Sequence, residues 1–238
     1  MLKQAVNTIL SLVGLRLTKA AGLESHLRPH ASNQRRVNDF SLIMVGAHNG
    51  AKTVKLVKAA LQWGKVCLVE PSPHLFADLR RRYGETDGLT LINACLTPDE
   101  VETVTFYAPS QTATRVTPWG DQLGSLNPSH AADHGPKLAA HIEEIEAPAL
   151  TPSQLIARIG CEAVDLLMLD TEGYDCALLG AYPFDVTKPR AIIFEHRHAD
   201  GVGRIGANFA ATITVLGDLG YDVAVLDQEN CIARLRAD

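Results

Sequence analysis

Short apolar runs alternate with segments of helical period along most of this chain. SLIMVGA (41–47) is an unbroken apolar run ending in glycine, the pattern of a strand buried on both faces. AKTVKLVKAALQW (51–63) follows, with Val54, Leu56, Val57, Ala60 and Leu61 spaced to turn one helical face to a core. VCLVE (66–70) predicts a second strand. PHLFADLRRRYG (73–84) predicts a second helix, with Pro73 in its first turn and Gly84 at its end. LTLINACL (89–96) predicts a third strand, and ETVTFYA (102–108) alternates as a strand does. Residues 108–137 are rich in Ser, Thr, Pro, Gly and His and read as a long loop, a length that in compact domains often serves function. IEEIEAPAL (142–150) is strand-like, and TPSQLIARIG (151–160) is a helix capped by Thr151 or Ser153. VDLLMLD (164–170) and RAIIFEH (190–196) are buried strands around the short helix YDCALLGAY (174–182). A helix over 205–219 and an antiparallel pair, YDVAVLD with CIARLRA, close the chain.

Strands separated by helices imply a mostly parallel α/β sheet with helices on both faces and a C-terminal antiparallel hairpin. Residues 1–38 stand apart from this pattern. The first 22 carry Ile9, Leu10, Val13 and Leu15 to Leu17 at amphipathic helical spacing, and 23–38 are a polar linker containing Pro29. That helix either packs on the domain or a second copy in a homodimer, or makes peripheral membrane contact through Lys3, Arg16 and Lys19. No run reaches the ~18 apolar residues that a bilayer span requires.

Composition narrows the picture only slightly. The 238 residues are 46% hydrophobic and 21% charged, which supports a sizeable core. The net charge of −5, with no basic patch interleaved with aromatics, sets aside nucleic acid as a partner. Five widely spaced cysteines form no CxxC pair, so neither a disulfide framework nor a zinc site of usual spacing is expected, and a cytoplasmic setting fits.

In a sheet of this kind, ligands bind at the carboxyl ends of the strands. The first strand ends in Gly46-Ala47-His48-Asn49-Gly50, a turn that admits close backbone approach but lacks the G-x-G-x-x-G dinucleotide fingerprint. The second ends in Glu70-Pro71-Ser72, with an acid placed about 20 residues on, where it can accept from two ribose hydroxyls. The third carries Asn93-Ala94, in which Asn93 either meets an adenine edge or caps the strand. The fourth ends in Asp170-Thr171-Glu172-Gly173-Tyr174-Asp175. Three carboxylates at one strand end are costly unless solvated, paired or functional. The fifth ends in Glu195-His196-Arg197-His198, and strand alternation points Glu195 away from His196 and His198.

VGAHNG, VEPSP, NACL, LDTEGYD and FEH, in this order and spacing over about 41–230, resemble the FkbM-type methyltransferase family. Gly124-Ser125-Leu126 and His130 resemble that family's serine-containing segment. The resemblance implies a Rossmann-like class I methyltransferase domain over 39–238, S-adenosylmethionine as methyl donor, and O-methylation of a saccharide or other small-molecule acceptor. Gly46, Ala47, His48, Asn49 and Gly50 would line the methionine part of the donor. Glu70 would hold the ribose, with Pro71 and Ser72 near the adenine. Asp170 would sit beside the sulfonium, and Glu172, Glu195 and His196 would face the acceptor. The family usually has Asp where Met44 stands and often Asn where His48 stands, which removes one cofactor hydrogen bond.

Alcohol acceptors lose a proton as they attack, which calls for a base with a pKa near neutrality. His196 is the first candidate and Asp170 or Glu195 the second. Asp170, Glu195 and His196 could alternatively hold a divalent metal, an arrangement less favoured than metal-free transfer. Rival functions are a nicotinamide oxidoreductase, an RNA methyltransferase, and a non-catalytic cofactor-binding scaffold motivated by Met44.

Overall fold

The computed structural model of the protein describes residues 39–236. The helix and linker expected over 1–38 lie outside the described residues. Seven strands form the main sheet: β1 (Asp39–Val45), β2 (Lys65–Val69), β3 (Leu89–Ile92), β7 (Ala163–Leu169), β8 (Ala191–Glu195), β9 (Tyr221–Val225) and β10 (Asn230–Leu235). Their order is β3-β2-β1-β7-β8-β10-β9. β1 pairs in parallel with β2 and β7, so Met44 lies level with Leu68 and Met168. Only β10 runs against its neighbours, pairing antiparallel with both β8 and β9 as the closing hairpin requires. The order reverses between β1 and β7. Their two C-terminal ends therefore diverge around a crevice, the place where open α/β sheets bind ligands.

Helices cover both faces, as the alternation of elements predicts. α1 (Val54–Leu61) and α2 (Pro73–Tyr83) press Leu56, Val57, Ala60 and Leu79 onto Leu42, Leu68 and Leu166 on one side. α5 (Pro152–Ile159), α6 (Asp175–Gly180) and α7 (Ala207–Asp218) cover the other with Leu155, Leu178 and Phe209. Burying such aliphatic side chains contributes about 1.5–3 kcal/mol each. Thr151 is the cap of α5: its hydroxyl accepts from the Gln154 N–H while Gln154 reaches back to the Thr151 N–H.

Two features depart from the sequence reading. LTLINACL breaks at Asn93: the continuation β4 (Cys95–Leu96) leaves the main sheet and pairs with β6 (Ile142–Leu150). β6 also pairs antiparallel with β5 (Thr103–Pro109), giving a second, three-stranded sheet. The long segment read as a loop is not structureless. It holds α3 (His130–His134), α4 (Pro136–Ala139) and a small core of Leu123, Ala131 and Leu138 packed against Ile142. That sheet and its folded insertion stand over the crevice.

All five cysteines are free and buried. Burial pushes the Cys67, Cys95, Cys161 and Cys231 thiols up to about 12, which leaves them unreactive near neutrality. Among the described residues, no helix is long and apolar enough to cross a membrane.

Candidate active site

The turn after β1 is built around backbone approach. Gly46 has φ +81°, and a Cβ there would overlap the Asp170 carbonyl oxygen at the end of β7. The Gly46 and Ala47 N–H groups both donate to Val69 O at 3.0 Å, which draws the turn against the end of β2. His48 takes the left-handed conformation at φ 53°, a region that His and Asn enter more readily than most side chains. Its N–H thereby reaches Glu70 Oε2 at 2.8 Å, and its ring contacts the Asp121 carbonyl oxygen at 3.2 Å. His48 thus ties the glycine turn to the folded insertion.

Glu70 is buried at the end of β2. Its Oε1 accepts from the Ser72 N–H at 2.9 Å and its Oε2 from His48, leaving each oxygen lone-pair capacity toward the cavity. Burial raises its carboxyl to about 7 against the pull of these two donors. From about pH 4.5 to 7 the folded protein therefore keeps a proton that the unfolded chain releases, so Glu70's contribution to stability is lost as pH rises. Urea unfolding of ligand-free Glu70→Gln beside wild type should move in the variant's favour by about 2 kcal/mol between pH 5 and 7. A pH-independent difference would contradict the raised value.

Asn93 follows β3 directly. Its amide donates to the Glu70 and Pro71 carbonyls at 2.7 and 2.9 Å, so it braces the strand end rather than lining the cavity. The other positions named for the cofactor do line one cavity of about 190 Å³: Gly46, Ala47, His48, Asn49, Gly50, Glu70, Pro71, Ser72, Ala94 and Asp170. Met44 and Met168 give it an apolar floor, and Phe106 and Leu126 reach it from the small sheet and the insertion.

A second cavity of about 340 Å³ adjoins the first, with Gln122, Asp170 and Glu172 in both walls. Asp170 is exposed where the two cavities meet. Loss of hydration between the cavity walls raises its carboxyl to about 8, with Glu172, Asp175 and Glu229 pushing the same way. Glu172 has φ 52°, a strained conformation for a non-glycine residue. Two contacts hold it: the Ser125 hydroxyl donates to its carbonyl at 2.9 Å, and its Oε2 meets His130 Nε2 at 2.9 Å. Asp175 stays out of both cavities. It accepts from the Thr171 N–H at 2.9 Å, from the Thr171 hydroxyl, and from the Glu195 N–H at 2.7 Å, which latches the turn after β7 to the end of β8.

The alternation expected beyond β8 fails. The strand stops at Glu195, the chain turns, and His198 Nε2 comes to 3.4 Å from Glu195 Oε1. Glu195 lines the second cavity, but His196 lines neither. The His196 ring packs 5.8 Å from that of Phe209 on α7, and its buried Nδ1 has no partner. Burial lowers its pKa. His196 therefore lies apart from Asp170 and Glu195, which line the second cavity, and belongs to neither group of possible metal ligands among the described residues. In its place His130, His134 and His198 stack edgewise, with ring centroids 4.8–5.2 Å apart. His134 carried no assignment from sequence. The i,i+4 pair His130/His134 is the one local signal for it, and it falls on helix α3 within the segment whose composition reads as loop.

A glycine turn after β1, a buried acid after β2 and an adjoining polar cavity at the β7 and β8 ends make a ligand site of the Rossmann-like kind. The sequence model of the methyltransferase FkbM domain matches residues 45–223, and the chain belongs to that family. No curated protein matches the sequence significantly. An O-methyltransferase of Bacillus cereus in complex with SAH is 11% identical, with 98% of this chain and 90% of that one covered at TM-score 0.44. The precorrin-6y C5,15-methyltransferase of Geobacter metallireducens is 12% identical, covering 93% and 95% at 0.42. The Methanococcus jannaschii fibrillarin pre-rRNA processing protein is 10% identical, covering 86% and 71% at 0.41. Overlaps this loose carry no assignment of substrate.

Proposed function

We propose that the chain is an S-adenosylmethionine-dependent methyltransferase acting on a hydroxyl of a saccharide or other small molecule. The observation that carries this is the junction at Asp170 and Glu172: the cavity holding the glycine turn and Glu70 opens there into a second, polar one. The first cavity suits the donor. Gly46 lets the turn lie directly against the Asp170 carbonyl at the cavity wall, and Glu70 offers both carboxylate oxygens for a ribose diol. The methionine floor of Met44 and Met168 suits apolar parts of the ligand in place of the family's usual acid.

When bound, S-adenosylmethionine supplies an activated methyl group. The protein's share is positioning and exclusion of water. Asp170 faces the junction and places negative charge there once ionised. The insertion roofs the crevice through Gln122, whose Oε1 accepts from Lys52 at 2.6 Å. The His134 imidazole borders the second cavity, beside the proposed acceptor.

The test is incubation with methyl-labelled donor and a panel of free and polymeric sugars, with the methylated atom located by mass spectrometry. O-methyl product is expected, with turnover in His196→Ala within about twofold of wild type because that ring lies outside both cavities. Label on nitrogen or carbon overturns the hydroxyl assignment. Tight donor binding with no product on any acceptor favours the scaffold that Met44 suggests.

A further inference from the structure

The histidine cluster beside the second cavity is more elaborate than an acceptor pocket requires. His130 Nε2 lies 2.9 Å from Glu172 Oε2, and a nitrogen of His134 joins them with all three donor atoms within 4.8 Å of one another. Glu172, Glu195 and His198 form a second such group, so Glu172 is shared. Two atoms here are buried without a partner. One is His134 Nε2. The other is Oε2 of Glu195, a residue only 7% exposed whose side chain borders the cavity. Leaving such atoms unpaired costs about 1–3 kcal/mol each.

The geometry points to a site for one divalent transition-metal ion, held by His130, His134 and Glu172, with Glu195 linked to it through the shared Glu172. Two imidazoles and a carboxylate suit Zn²⁺, Co²⁺ or Mn²⁺ rather than Mg²⁺ or Ca²⁺, which take oxygen ligands. His198 has a different part. Its Nδ1 accepts from the Gly203 N–H at 2.9 Å, which puts its proton on Nε2, facing Glu195. It therefore orients Glu195 rather than ligating the ion. Glu172 is held ready by its strained backbone and by Ser125. The site lies where the proposed acceptor binds, so an ion there would fix an acceptor oxygen and favour its deprotonated form. That role rests on the methyltransferase proposal, whereas the site itself does not.

The experiment uses full-length protein freed of any affinity tag and stripped with chelator. Zn²⁺ is titrated calorimetrically, and Co²⁺ is followed by its visible absorption, which reports its coordination number and geometry. One equivalent is expected to bind, with Mg²⁺ failing to displace it. His134→Ala, a change at a half-buried position, should weaken binding by more than about 100-fold, the upper end of what losing an outer-shell partner costs. Glu172→Gln should do the same with an unchanged circular dichroism spectrum. Absence of stoichiometric Zn²⁺ and Co²⁺ binding overturns the site, as does equal binding in folded His134→Ala and Glu172→Gln. S-adenosylmethionine titrated into the same samples separates the two proposals: donor binding without metal binding overturns this site alone, and metal binding without donor binding overturns the methyltransferase proposal alone.

Discussion

Gly46→Ala is expected to abolish donor binding and to lower stability by about 3 kcal/mol. Three costs coincide at this position. The backbone sits at φ +81°, where an L side chain is strained. The added Cβ would overlap the carbonyl oxygen of Asp170, which is backbone and cannot rotate aside. Relief by shifting the turn would strain the bonds from the Gly46 and Ala47 N–H groups to Val69 O, and with them the link from His48 to Glu70. Chemical denaturation and calorimetric titration of one preparation measure both effects. Wild-type affinity in the variant would show that the turn is not the donor's cradle. Gly50→Ala should be milder, because its Cβ would meet the Leu79 and Tyr83 side chains, which can move.

Asp175→Asn is the second large effect, expected at about 2–3 kcal/mol of destabilisation. Both carboxylate oxygens of Asp175 accept hydrogen bonds, from Thr171 on one side and the Glu195 N–H on the other. An amide offers one oxygen, so its NH₂ group must face a donor whichever way it flips. The damage passes to Glu195 and Thr171, which the latch holds at the strand ends. Methyl transfer should fall with the loss of register there, while donor affinity stays within about tenfold of wild type because Glu70 and the glycine turn are untouched. Unchanged urea unfolding would show that the latch contributes nothing.

The main sheet was legible because its signals are local. SLIMVGA, VCLVE, VDLLMLD and RAIIFEH are each long enough and apolar enough to specify a doubly buried strand without reference to the rest of the chain. The glycine turn and Glu70 were legible for the same reason, since they lie at fixed offsets from strand ends. What escaped depends on contacts between distant segments. The pairing of β5 with β6 spans the whole insertion, and β6 carries exposed Glu143, Glu144 and Glu146 on both of its faces, which blurs its alternation. The bond from Ser125 to Glu172 joins residues 47 apart, and that from His130 to Glu172 joins residues 42 apart. No periodicity reports either. The placement of His198 opposite Glu195 failed for a different reason: strand parity was carried past the residue where the strand ends. Parity holds only while the ladder lasts.

The most direct test of the account is calorimetric titration of S-adenosylmethionine into wild-type protein and Glu70→Ala at pH 8, where Glu70 is largely ionised. Two ribose hydroxyls donating to one buried carboxylate are worth about 3 kcal/mol or more together. The predicted result is micromolar binding by wild type and a loss of at least about 100-fold in the variant. No binding by folded wild-type protein, or undiminished binding by Glu70→Ala, would contradict it.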